Sequence, residues 1–368
     1  FLSLIGFLLP TATLWRANSI YAMLLAIALL LLIRALLTQS AGADAFRRRI
    51  LVLGAGPRAA RLKALSEEPG CGFQMVGYVA MADNETAIRG AVPRADIASL
   101  ADHAMALGAG EVVLAMEERR NSLPLADLLR VKTTGVHVND IASFLERETG
   151  RVDLATTNPS FLIFSDGFSA GQRIGKVSKR LFDILASLLV LVIGLPLIII
   201  AGIAVRLDSK GPIFYRQSRV GMFGEAYDIV KIRSMRTDAE AAGKAVWASE
   251  NDPRITRVGN IIRKLRIDEL PQTWCVLKGD MSFVGPRPER PSFVDELERE
   301  LPYYAERHMV KPGLTGWAQI NYPYGASVED ARVKLEYDLY YAKNYSPFLD
   351  LLILLQTVRV VLWPEGAR

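Results

Sequence analysis

Apolar residues in this chain fall in blocks, and the blocks alternate with polar, turn-rich stretches. Phe1–Leu9 is apolar, ends at Pro10 and reads as the tail of a membrane helix that begins upstream, so the chain is expected to be truncated there. Ser19–Leu37 is long enough to span a bilayer, with Arg34 near one end where it can snorkel. Arg47, Arg48 and Arg49 follow, and the positive-inside rule puts that end in the cytoplasm. Ile50–Leu53 is a short apolar strand that runs into Gly54-Ala55-Gly56-Pro57 and then a helix. Further strand-like runs stand at Met75–Val79, Glu111–Ala115 and Val136–Val138, with helical spacers at Ile97–Leu107 and Leu123–Thr133. That alternation predicts a small parallel sheet within residues 47–145. Residues 146–172 lack a period and carry Asn-Pro, Asp-Gly and Ala-Gly pairs, so they read as a connector.

The second long apolar block, Ile184–Val205, has Lys176, Lys179 and Arg180 before it and Arg206 and Lys210 after it. Gly194 and Pro196 sit at its middle, where proline removes a backbone bond and bends a helix. Two topologies fit: a kinked helix that crosses, or one that enters, breaks at Pro196 and returns. The cations at both ends ask for both ends in the cytoplasm, which the second satisfies. Beyond the block, Phe214–Gly221 and Tyr227–Met235 alternate apolar and basic residues, predicting strands with one cationic face. Ser292–Met309 has helical spacing, and Ser327 with Asp330 forms a capping box for a tyrosine-rich helix. Pro347–Trp363 is apolar, with few charges, and stops at Pro364. These last helices fit a membrane interface or a protein core, the interface being the expectation.

Composition narrows the class. With 51% hydrophobic and 23% charged residues over 368 positions, the chain is long enough for two domains or more. Only Cys71 and Cys275 carry thiols, without metal-ligand spacing, which fits a reducing compartment. Three histidines make a zinc site or a histidine triad improbable. The net charge of +5 matters chiefly through where the cations cluster.

They cluster around Asp268-Glu269, preceded by Arg263, Lys264 and Arg266. Pro271 belongs in the first turn of a helix, so a helix should open near Asp268 and stop at Gly279. Both carboxylates would then lie at a helix N-terminus, which keeps them ionised and able to act as nucleophile or metal ligand. Gln217, Arg219, Lys231, Arg233, Arg254, Arg257, Arg266 and Arg287 form the candidate phosphate-binding set. Arginine pairs phosphate bidentately, so this concentration suits a polyphosphate ligand. Gly285-Pro286-Arg287-Pro288 is a stiff loop that presents Arg287. The glycine turn at residues 54–57 is a weaker signal: Ala59 replaces the third glycine, Pro57 interrupts, and Asp83 is the nearest acidic residue to close the second strand.

From about Gln172 onward the chain resembles the bacterial sugar transferase family, the monotopic polyprenyl-phosphate phosphoglycosyl transferases. The likeness rests on Lys179-Arg180-Leu181-Phe182-Asp183, Pro196, Phe214–Gly221, Lys231-Ile232-Arg233-Ser234-Met235, Asp252–Gly259, Ile267–Gln272, Gly279–Pro288 and Lys311–Trp317, in the family's order. Phe164-Ser165-Asp166-Gly167-Phe168 is similar to the exopolysaccharide type. The resemblance implies an α/β membrane protein with N-terminal transmembrane segments (1–40) and a Rossmann-like, CoA-binding-like domain (47–145). A mainly α catalytic domain (173–368) with a re-entrant hairpin at 184–205 completes it. It implies transfer of a sugar 1-phosphate from a UDP-sugar to polyprenyl phosphate, releasing UMP, at the cytoplasmic face of the bacterial inner membrane. Asp268 would be the nucleophile and Glu269 the Mg²⁺ ligand. Membrane lipid is an expected partner, a homo-oligomer with a dimer favoured is the expected assembly, and nucleic acid is not expected. Two alternatives stand beside it: an NAD-dependent sugar-nucleotide enzyme working through the Rossmann-like half, and a catalytically silent membrane scaffold.

Overall fold

A computed structural model describes residues 16–41, 47–82, 84–85, 87–117, 123–157, 159–164, 167, 173–239, 252–323, 325 and 327–362. The Phe1–Leu9 block, Asp83 and most of the Phe164–Phe168 run lie outside the described residues. The chain divides into two compact units, Phe1–Phe144 and Leu145–Arg368.

The first unit begins with helix α1 (Arg16–Ala41), whose apolar residues from Tyr21 to Ile33 are exposed. β1 (Arg48–Leu53), α2 (Pro57–Ser66), β2 (Phe73–Ala80), β3 (Val92–Pro93), α3 (Leu100–Ala106), β4 (Glu111–Leu114), α4 (Leu125–Thr133) and β5 (His137–Asp140) follow, and α5 (Ile141–Thr149) runs from the end of this unit into the second. The strands form one sheet in the order β3-β2-β1-β4-β5, with every pairing parallel. Ile50 to Leu53 are all buried, which explains their unbroken apolar run, since a parallel strand has both faces covered. Gly54, at φ +124°, turns the chain where a Cβ would stand 2.8 Å from the Ala115 backbone. The two-residue strand β3 carries too short a signal to be read in advance.

The second unit continues with α6 (Pro159–Phe164) and α7 (Arg173–Asp208). Residues 146–157 do more than connect. Val152 N donates to Glu336 O, Trp317 Nε1 to Gly150 O, and Lys343 Nζ to Glu146. Directional hydrogen bonds of this kind leave no hydrophobic period in the sequence.

Helix α7 runs through Pro196 as one helix, so the break expected there is not found, and it touches its own unit along both halves. Arg180 donates to the carbonyls of Val276 and Leu277 at 2.7 and 2.6 Å, and Asp183 accepts from Ser282 Oγ and Phe283 N. Farther along, Ile198, Ala201 and Val205 pack with Ile232 and Ile262. The rest of its surface, from Leu185 to Ile203, is apolar and exposed.

The strands that the alternation predicts are β6 (Phe214–Val220) and β7 (Ala226–Ile232), and they pair as an antiparallel hairpin. Gln217 and Arg219 share a face with Lys231, because 215, 217 and 219 pair with 231, 229 and 227. After α8 (Arg257–Lys264), α9 (Thr273–Lys278), β8 (Ser282–Val284) and α10 (Pro291–Glu300), β9 (Gly313–Thr315) pairs with β8 in parallel. The short α11 (Trp317–Asn321) leads into α12 (Val328–Asn344), capped by Ser327 and Asp330 as expected. Contrary to the interfacial expectation, α12 is a core helix with Leu335, Leu339 and Tyr341 buried. Its tyrosines face protein because Asp338, Glu336 and Tyr341 find buried partners there. Helix α13 (Pro347–Leu362) buries Asp350 and Ile353 and exposes Phe348, Leu351, Leu355 and Val358 along one face.

Two glycine motifs interlock in this unit. Gly285 N donates to Thr315 O, and Gly313 N donates to Pro286 O. A Cβ on Gly313 would stand 2.1 Å from Gly285 N, and one on Gly316 would stand 2.2 Å from Gly285 O. Gly313→Ala should therefore cost about 3 kcal/mol, through forced overlap of backbone atoms. That corresponds to a fall in Tm of roughly 6–12 °C for a unit of this size. Gly175→Ala, where a Cβ meets nothing within 4 Å, should leave Tm unchanged in the same calorimetric comparison.

Candidate active site

The site is built where α8 ends. Arg266 takes the left-handed conformation at φ +56°, a strained choice for a side-chain-bearing residue, and turns the chain into a 3₁₀ helix, Ile267–Gln272. Asp268 and Glu269 occupy its first turn. Helix α9 follows and ends at Gly279, φ +102°, so the expected single helix is two segments with the stop where the sequence puts it. Pro271 has no N–H to close an α turn onto Ile267, and the tighter turn results.

The two neighbouring carboxyls shift in opposite directions. Glu269 Oε1 accepts from Lys231 Nζ at 2.9 Å and Arg287 Nη2 at 3.2 Å, and Arg266 Nη1 lies 3.6 Å from Oε2. Burial alone would raise this carboxyl, but Arg287, Lys231 and Arg266 outweigh it and hold Glu269 well below the usual carboxylate range. Asp268 is 7% exposed, and its Oδ1 is buried with no hydrogen-bond partner among the described residues. Burial first, and the negative Glu269 second, push Asp268 above its ordinary value. The expectation that a helix N-terminus favours the ionised form of both acids fits Glu269, while Asp268 shifts the other way. A six-residue 3₁₀ turn offers little dipole against desolvation.

Other candidates sort by what they touch. Lys231, Arg266 and Arg287 converge on Glu269. Arg219 donates to Pro288 O at 3.1 Å and to Gln217 Oε1, so that pair underlies the Arg287 loop. Arg233 donates to the carbonyls of Ser209 and Lys210 and closes the end of α7. Arg254 forks onto Asp252, whose carboxyl this hydrogen bonding holds at about 2. Arg257 is the exposed first residue of α8, and Pro196 lies within α7. Sequence reasoning did not single out Arg307, Asp338, Lys179 and Asp350 as site residues. Lys179 binds Val284 O, just ahead of the Arg287 loop, and Asp350 at 2.5 Å. The Lys179–Asp183 motif was visible, but its partners are too distant in sequence to be paired.

No group of three or more histidine, cysteine, aspartate or glutamate side chains that could hold a metal occurs among the described residues. Two adjacent carboxylates, one with a partnerless oxygen, suit Mg²⁺ only if substrate phosphates and water complete its six ligands.

The glycine turn of the parallel sheet is differently occupied. Glu85 Oε2 accepts from Ala55 N at 3.0 Å and from Met81 N at 2.8 Å. In a dinucleotide fold such turn amides face the pyrophosphate. A carboxylate already bonded there repels one.

A carboxylate pair ringed by cations, beside an exposed apolar helix, defines a protein that handles an anionic group at a hydrophobic surface. The chain belongs to the bacterial sugar transferase family, whose model matches residues 174–364, more than half of its length. It is 43% identical over 241 residues to a UDP-N-acetylgalactosamine-undecaprenyl-phosphate N-acetylgalactosaminephosphotransferase of Aeromonas hydrophila, covering 66% of this chain and 56% of the relative. It is 43% identical over 187 residues to a UDP-glucose:undecaprenyl-phosphate glucose-1-phosphate transferase of Klebsiella pneumoniae, covering 50% of this chain and 40% of the relative. An uncharacterised sugar transferase of Bacillus subtilis is matched over 91% of its length, and over 52% of this chain, at 43% identity. The chain thus spans about half the length of the two larger relatives.

The opposed shifts set a pH dependence. A reaction that needs Asp268 ionised should show an acid limb above the ordinary aspartate value, with the rate falling as pH falls through it. Glu269→Gln removes the like charge and frees three cations, so the Asp268 carboxyl should titrate at lower pH. Carbon NMR of that carboxyl in the two proteins reads this directly; an unmoved or raised titration contradicts the assignment.

Proposed function

We propose that this chain transfers a sugar 1-phosphate from a UDP-sugar to a polyprenyl phosphate such as undecaprenyl phosphate, through a phosphosugar held on Asp268. One observation carries the reading: the buried, partnerless Asp268 oxygen beside a Glu269 already neutralised by three cations. Asp268 attacks the phosphorus that bears the sugar. The bond to the UMP oxygen breaks, and UMP leaves with the electron pair. An oxygen of the lipid phosphate then attacks the acyl phosphate, yielding polyprenyl-diphosphate-sugar and restoring the Asp268 carboxylate. Arg287, Lys231 and Arg266 bring positive charge to within reach of the diphosphate, in a site of low dielectric where it counts most. Mg²⁺ bound by Glu269 and substrate phosphate oxygens would supply charge screening. The relatives are named for the same donor and acceptor classes. The Glu85 contact weighs against a dinucleotide-dependent alternative.

Helix α7 serves as the membrane element, and we read it as seated in the inner membrane from the cytoplasmic side without crossing it. Residues 179–183 and 198–205 pack against one unit, while the exposed side of the helix is apolar. A bilayer crossing would require that unit to stand on both sides at once.

The purified protein with Mg²⁺ and a panel of UDP-sugars should release UMP, and should form lipid-linked product once undecaprenyl phosphate is added. Asp268→Asn should lose at least a thousandfold in turnover, about 4 kcal/mol of barrier; a residual rate above that puts the nucleophile elsewhere.

For topology, single cysteines at Lys176 and Lys210, in a background without Cys71 and Cys275, should both react with an impermeant reagent from the cytoplasmic side of sealed vesicles. Labelling from opposite faces refutes the non-crossing reading.

A further inference from the structure

We infer that Arg307 and Asp338 form a positioning pair, which fixes Arg287 and through it the charge on Glu269. Arg307 lies on the 3₁₀ helix Tyr304–Met309 and Asp338 on α12, and both are buried, at 5% and 2% exposed. Arg307 Nη2 donates to Asp338 Oδ2 at 2.7 Å and to the Arg287 carbonyl at 2.9 Å, while Nη1 donates to Tyr304 Oη at 2.8 Å. Its guanidinium carbon stands 5.1 Å from the Tyr304 ring centre. A planar fork held at three points cannot swing, so the carbonyl it grips is fixed too.

The Arg287 loop is gripped at other points as well, by Gly313 N on Pro286 O and by Arg219 on Pro288 O. Arg307 is the grip on residue 287 itself. From that backbone the Arg287 side chain reaches Glu269 Oε1 at 3.2 Å. The path therefore runs from Asp338 through Arg307 and Arg287 to Glu269 and its neighbour Asp268. A buried ion pair is a poor source of stability, because desolvation offsets its attraction. Its geometric role accounts better for its presence on this loop.

The inference rests on the transfer reaction proposed above for its kinetic test, and one test is independent of it. Arg307→Lys keeps the charge opposite Asp338 but loses the fork. Phenylglyoxal modification of Arg287, followed by peptide mass spectrometry, should accelerate at least threefold in R307K. The Arg287 guanidinium would have left Glu269; an unchanged rate overturns the inference whatever the enzyme does. In steady-state assays R307K should lower kcat at least tenfold, yet by less than twofold when added to Arg287→Ala. Full multiplicative loss in the R287A background would mean that Arg307 acts elsewhere. The double variant R307M/D338L replaces the pair with apolar bulk and should hold Tm within a few degrees. It should show the same fast Arg287 modification; slow modification in this folded variant also overturns the proposal. Failure of wild-type protein to release UMP would count against the reaction and leave the modification test standing.

Discussion

The second unit turns on a desolvated carboxylate that must not stand alone. Glu269 is half-buried, where an isolated charge would be costly, and Lys231, Arg266 and Arg287 converge on it from a strand, a turn and a loop. Each cation comes from a different element, so the hairpin, the end of α8 and the Gly285–Pro288 loop have to meet at one point. That requirement explains features that look unrelated along the chain. The left-handed Arg266 ends α8 early enough to turn Asp268 inward, and Pro271 tightens the turn that carries both acids.

The loop holding Arg287 shows how such convergence is enforced. Its glycines are not there for flexibility. Gly285, Gly313 and Gly316 let two backbone segments run closer than any side chain would permit. Around this crossing, Arg219, Arg307 and Lys179 each donate to a backbone carbonyl in or beside the loop. Cations that a charge count would assign to ligand binding are in these cases structural. The same holds for Arg180 and Arg233, which complete the ends of α9 and α7.

The apolar helices pose the opposite problem, of surface without a protein partner. Along α7 the anchored residues and the exposed ones alternate by face, so one side packs on its own unit and the other is an exposed apolar surface. On α13 the exposed row of Phe348, Leu351, Leu355 and Val358 lies opposite Asp350. Asp350 ties the helix to Lys179, and Thr357 ties it to Thr315. Both apolar helices are thus joined by hydrogen bonds to segments that flank the Arg287 loop.

The sequence by itself determined what local chemistry determines. It specified the apolar blocks, the parallel-strand alternation, the Ser327 cap, the Gly279 stop, and a carboxylate pair among cations. Periodicity and turn residues act over a few positions, so these could be read in order. It also misjudged in a consistent way. The ionised form was expected to be favoured in both acids alike, α12 to lie at an interface, and residues 146–157 to connect. Each outcome hangs on partners far along the chain: Lys231 and Arg287 for the acids, Arg307 for Asp338, Glu336 and Lys343 for the segment after the sheet. Burial and Coulomb energy depend on distance through space, and only the folded chain sets that distance. The two adjacent acids were legible from sequence; that one shifts below and the other above its ordinary value was decided by the tertiary structure, because only there do three cations reach one carboxylate while burial and a like charge act on the other.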